Sequence, residues 1–301
     1  MIPFTTAALP LFSPNLLQDL LDLLSYDFVR QALLAGTILS LVAGFVGYFV
    51  VLRHQAFAGE ALSDVAFTGA LAGAAFAINP LVTLLGVTVL VALAMGLFGE
   101  RLRGRDVAIG TMLAWTLGLG VLFLSLFTAN VSGAGTGFSG VAALFGNLFG
   151  VSVEQTRVIA LAAVAEVATL AIIARPLLFA SLDPDVAQAR GVPTRALGLI
   201  FMALVGVTVA LATLAVGALL VFALLLLPAA TAQQLTTRPY AGLGLAALLA
   251  ILITWFGVAI SFYTGFPSSA CVSLLGVALY AGVLGALRLR ATLQSRASAA
   301  L

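Results

Sequence analysis

Nine runs of mostly apolar residues, each close to a bilayer span in length, follow one another from Arg30 to Arg288 with short breaks between them. They predict helices at 30–52, 57–78, 80–99, 107–129, 156–175, 195–214, 217–235, 241–263 and 269–288. About 20 apolar residues cross the hydrocarbon layer as a helix, and the helix is the single-segment form that satisfies its own backbone there. A water-soluble domain needs about a quarter of its residues charged. This chain has 8% of 301. The fold class is therefore all-α, a polytopic membrane domain with eight or nine spans. The count turns on the sixth and seventh, which only Ala215 and Val216 separate.

Arginine placement orients the spans, because basic residues in short loops stay cytoplasmic. With the amino terminus outside and the carboxyl terminus cytoplasmic, the inner loops hold Arg53, Arg101, Arg103, Arg105, Arg175, Arg190, Arg195, Arg238, Arg288, Arg290 and Arg296. Only Arg30 and Arg157 remain outside. The chain then divides into an extracytoplasmic segment 1–29, a transmembrane domain 30–290 and a cytoplasmic tail 291–301. The start, MIPFTTAALPLF, has no basic region ahead of it and does not read as a cleavable signal. Residues 15–28 alternate leucines with Gln18, Asp19, Asp22 and Asp27 at helical spacing, which predicts an amphipathic helix in the outer interface. Gly133, Gly135, Gly137 and Gly140 follow a membrane span with no strand before them, so they read as a flexible outer loop and not as a nucleotide cradle.

Composition removes several function classes. The formal charge of +2 comes without the interleaved basic and aromatic residues that bind nucleic acid. All 13 basic residues are arginine, and a phosphate-binding P-loop requires lysine. The chain is not an ATPase by itself. No HExxH motif or serine–histidine pair suggests an intramembrane enzyme, and Cys271 in an apolar run reads as a small core residue.

Acidic residues inside spans are costly and so mark function. There are three: Glu60, Asp64 and Glu166. Glu60 and Asp64 lie four apart in AFAGEALSDVAFTGALAGAAF, so both carboxylates share one face of a helix rising from the cytoplasmic side. Small residues beside them, among them Ala61, Ser63, Gly69 and Gly73, permit close packing. A bound cation would relieve their mutual repulsion, and paired carboxylates suit Mn(II) better than zinc, which recruits imidazole or thiolate. The alternative is a helix end whose acids reach the interface and pair with Arg53. His54 reads as interfacial, and Glu166 has no evident partner.

A second motif, SLDPDVAQARGVPTR, lies in an inner loop. Asp183 caps a short helix, Pro184 takes its first position, Asp185 sits at its positive end, and Gly191 with Pro193 stops it. The result is a compact cytoplasmic knob.

YFVVLRHQAFAGEALSDVAFTGALAG, LFGNLFGVS, SLDPDVAQARGVPTRALGL and VGALLVFALLLLPAATAQQL, in that order and spacing, resemble the ABC-3 permeases of manganese, zinc and iron importers over about Ala32 to Leu284. The resemblance implies a type II ABC importer permease fold and a bacterial cytoplasmic (inner) membrane location. It also implies a homodimer, a cytoplasmic ATPase dimer below and an extracytoplasmic metal-binding protein above. No cofactor is implied beyond the transported divalent metal ion. The knob at 183–191 is similar to the family's coupling helix, with Asp183, Pro184, Ala187 and Gly191 matching, and with Asp185 and Arg190 as further expected contacts to the ATPase. Relatives commonly carry Gly-Asp-x-x-Ser-His where this chain has Gly59-Glu60-Ala61-Leu62-Ser63-Asp64. Glu60 and Asp64 thus occupy the metal-ligand positions, with an aspartate replacing the imidazole. That exchange favours manganese, then iron or zinc. A Pro-Ser-Gly-Pro turn of relatives reads Pro267-Ser268-Ser269-Ala270. Rival readings are a siderophore or cobalamin permease, which leaves the acidic pair unexplained, and a proton-coupled carrier, which leaves the coupling-helix match unexplained.

Overall fold

The computed structural model describes residues 25–99, 105–130 and 148–298. Arg101, Arg103, the glycines at 133–140 and most of the predicted amphipathic segment lie outside these residues. Among the described residues there is no strand, and nine long helices occupy the nine predicted segments. They are α1 Asp27–Leu52, α2 Ala56–Ala75, α3 Pro80–Gly99, α4 Arg105–Asn130, α5 Val153–Leu182, α7 Thr194–Val216, α8 Ala218–Leu235, α9 Pro239–Thr264 and α10 Ser268–Ser298, with the short α6 Pro184–Ala189 between α5 and α7. Seven of these are long and apolar enough to cross a membrane on their own. The two that are not are α2, which carries the acids, and α8, whose apolar stretch runs only Leu220–Leu235.

Local chemistry sets the ends. Ser152 and Gln155 form a reciprocal capping box at the start of α5. Pro239 opens α9 at a position where its missing N–H is harmless, and left-handed Gly265 closes it. The predicted break at Ala215-Val216 falls instead at Gly217: Val216 completes α7, and Gly217 at φ 85°, ψ 155° turns the chain directly into α8. That backbone conformation belongs essentially to glycine, so no longer loop is needed.

Burial sorts the helices. Within their apolar windows α7 is 72% and α1 67% inside the fold, against 11% for α4 and 17% for α10. The outer helices therefore turn large apolar side chains outward, such as Trp115, Leu161 and Ile172. A helix apolar on its exposed side is in contact with lipid. With no hydrophobic drive between helices in lipid, small residues and polar stitches bring them together. At the α1–α9 crossing Ser40 and Thr254 hydroxyls meet at 2.6 Å, and Trp255 donates to Thr37 at 2.8 Å.

Side-chain contacts also fix which ends share a side. Tyr26 and Phe28 at the start of α1 stack with Phe262 near the end of α9 and with Phe149, an aromatic girdle of the kind found at a membrane interface. At the opposite end Gln233 of α8 donates to the Tyr48 carbonyl at 3.0 Å, and Arg53 lies over the Phe201 ring of α7 at 5.6 Å. The ends bearing Arg53, Arg195 and Arg238 thus gather on one side.

Candidate metal site and coupling surface

The helix α2 is wedged among α3, α4, α7 and α8, and its small residues allow it. A Cβ on Gly69 would stand 3.0 Å from Leu84 Cα, and one on Gly59 would stand 3.2 Å from the Leu225 side chain. Thr68 reaches across to the Thr116 carbonyl of α4 at 3.2 Å. What these contacts leave uncovered is a stripe at helical spacing: Phe57 and Glu60 are exposed, and Asp64 and Phe67 are half-buried. Ala61, Leu62, Val65 and Ala66, between them, are buried.

Both predicted site acids therefore lie on this open stripe. They sit about 6 and 12 Å along α2 from its first residue, at 1.5 Å per residue, one turn apart on the same face. Ser63 donates to the Glu60 carbonyl and Thr68 to the Asp64 carbonyl, which leaves both carboxylates uncommitted by these neighbours. Among the described residues, no three or more His, Cys, Asp or Glu side chains come together. One copy thus presents two carboxylate groups, whereas hard divalent cations take about six oxygen ligands. His54 is exposed, in a left-handed turn at φ 53°.

The knob forms as its residues dictate. Asp183 Oδ1 accepts from the Val186 N–H at 3.1 Å, and Pro184 takes the first turn. Gly191, at φ 80°, stops the helix. Ala187 is fully buried and anchors it to the bundle. Asp183, Pro184, Asp185, Arg190 and Gly191 stand exposed around that anchor. The knob packs on α5 and α7, and the acidic pair lies on α2.

At the other end of α2, a cleft of about 540 Å³ is lined by Asn79, Ser152, Glu154, Arg157 and Leu214, among others. The third intramembrane acid, Glu166, is buried on α5 and has a partner that sequence spacing could not reveal. Thr208 of α7, 42 positions away, meets its Oε2 at 2.7 Å.

The ABC 3 transport family model matches residues 25–286. The chain belongs to the ABC 3 transport family. As a member it is a permease subunit of a metal ABC transporter and not an enzyme. The manganese transport system membrane protein MntC of Halalkalibacterium halodurans is 31% identical over 265 residues, covering 86% of this chain and 87% of that protein. The high-affinity zinc uptake system membrane protein ZnuB of Haemophilus influenzae is 30% identical, covering 78% and 88%. A solved structure, PsaBC from Streptococcus pneumoniae in complex with Fab, superposes with a TM-score of 0.77 at 21% identity, over 89% of this chain and 95% of that one. The likeness shows that the two chains share the all-helical fold.

Proposed function

We propose that this permease imports a divalent transition metal ion, manganese ahead of iron or zinc, and that Glu60 and Asp64 are its ligands on the path. The observation that carries the reading is the open stripe on α2. Ionisable side chains inside a span are costly and face a bundle interior or a cavity, and this chain sets two of them one turn apart on a face that its own bundle leaves exposed at Glu60 and half-covered at Asp64. A second copy of the chain laid against that face removes the acids from lipid and brings four carboxylates to one path. A cation there offsets their repulsion. The all-oxygen donor set fits Mn(II), and relatives at 31% and 30% identity are named for manganese and for zinc.

In this arrangement a homodimer sits in the bacterial cytoplasmic membrane, amino termini outside and carboxyl termini inside. A cytoplasmic ATPase dimer engages α6 through the exposed Asp183, Pro184, Asp185, Arg190 and Gly191, while Ala187, expected among these contacts, is instead buried and holds α6 to the bundle, and an extracytoplasmic metal-binding protein delivers the ion. The gathering of Arg53, Arg195 and Arg238 on one side favours that side as cytoplasmic. Uptake of labelled manganese by cells carrying Glu60→Gln together with Asp64→Asn tests the site. We expect uptake to vanish while the permease–ATPase complex still purifies intact; undiminished uptake refutes the assignment.

A further inference from the structure

The geometry points to Glu166 as a neutral carboxylic acid that donates its proton to the Thr208 hydroxyl, clasping together the two helices that flank α6. Thr208 Oγ1 lies 2.7 Å from Glu166 Oε2 and 2.9 Å from the Leu204 carbonyl oxygen. Both are lengths of full O–H···O bonds. The hydroxyl has one hydrogen and a backbone carbonyl has none, so the second must come from the carboxyl. Where one hydroxyl is divided between two carbonyls in this fold, no contact is as short as the 2.7 Å to Glu166: Thr68 stands 3.1 and 3.2 Å from its two acceptors, Thr128 3.0 Å from each of its own, and Thr292 3.0 and 2.9 Å from its two.

The surroundings agree. Glu166 is 4% exposed, and its Oε1 has no hydrogen-bond partner. An ionised carboxylate would hold two unsatisfied lone-pair sets there, and a neutral acid leaves only a carbonyl oxygen. The long helices packed on α5 are α1 and α7. Their charged residues are Asp27 and Arg30 at the start of α1, Arg53 just past its end, and Arg195 at the start of α7. Arg157, Arg175 and Glu154, on α5 itself, lie at least six residues from Glu166 along the helix. Glu166 is mid-helix, about 20 Å from Val153 at 1.5 Å per residue, so these charges sit at other levels.

The clasp has a place in the mechanism. Asp183 ends α5 and caps α6, and α7 begins at Thr194 after α6. Joined in mid-membrane by Glu166 and Thr208, α5 and α7 move as one lever when α6 is pushed. This part rests on the reading of α6 as the coupling helix; the protonation state does not.

Infrared spectroscopy of the assembled transporter at neutral pH tests the inference. We expect a carboxylic-acid C=O band in the native protein that disappears in Glu166→Gln and shifts in Thr208→Val. Glu166→Gln, whose amide N–H replaces the donated hydrogen, is expected to keep ATP-driven uptake. Glu166→Leu, which has no donor, is expected to hydrolyse ATP with most of its uptake lost. Absence of the acid band in the native protein overturns the proposal, as does loss of uptake in Glu166→Gln equal to that in Glu166→Leu. Should α6 not be the coupling helix, ATPase association would survive changes at Asp185 and Arg190, while the infrared bands would remain as expected here.

Discussion

Replacing Gly44 with alanine sets a small gain against a larger loss, and the structure fixes both. The gain is helix propensity: alanine is better than glycine by about 0.8–1 kcal/mol in a helix interior. The loss comes from the α1–α9 crossing. A Cβ at Gly44 would stand 2.5 Å from Ala247 Cα, 2.7 Å from its backbone nitrogen and 3.0 Å from the Ala246 carbonyl carbon. These are backbone atoms, which cannot swing aside as a side-chain tip does. Ordinary carbon contact at about 3.5–4.0 Å requires the helices to separate by about 1 Å. One to two helical turns away, that separation breaks the Ser40–Thr254 contact at 2.6 Å and strains the Trp255–Thr37 bond at 2.8 Å. Interhelical bonds of this kind average about 0.6 kcal/mol each in membranes, and overpacking adds about 1–3 kcal/mol. The net expectation is a destabilisation of about 1–3 kcal/mol. Gly244, on the same helix α9, has nothing within 4 Å of its would-be Cβ, so Gly244→Ala is expected to stabilise through propensity alone. Thermal unfolding of the two variants in detergent micelles measures both. If Gly44→Ala proves as stable as Gly244→Ala, close backbone contact is not what holds α1 against α9.

Two further outcomes follow from backbone and cap geometry. Gly217→Ala places a Cβ at φ 85°, ψ 155°, at a strain of about 1–3 kcal/mol; the melting temperature is expected to fall, and an unchanged one would mean that the α7–α8 joint relaxes freely. Asp183→Ala removes the oxygen that accepts from the Val186 N–H, a cap worth about 1 kcal/mol. With the knob frayed, co-purification of the ATPase is expected to weaken more than the stability of the permease, and an undiminished complex would count against α6 as the docking element.

Much of this molecule was legible along the chain because membranes reduce folding to one-dimensional rules. Lipid offers the backbone no hydrogen bonds, so apolar runs become helices, and nine described helices stand where nine runs were read. The α6 knob was equally legible, since Asp183, Pro184 and Gly191 act on backbone within a few residues of themselves. The i, i+4 spacing of Glu60 and Asp64 put them on one face by helix geometry alone. Three things needed the third dimension. The α7–α8 joint falls at Gly217 and not at Ala215-Val216, because a single positive-φ residue can reverse the chain when both helices are held by neighbours. That Glu60 and Asp64 lie on the stripe left open follows from which faces of α2 its four neighbours occupy. The partner of Glu166, 42 residues distant, was chosen by the packing of α5 on α7. Sequence determined the helices, their ends and which side chains share a face, since those depend on neighbours a few residues away. Only the tertiary structure decided which faces meet, because that depends on close contacts among residues far apart in the chain.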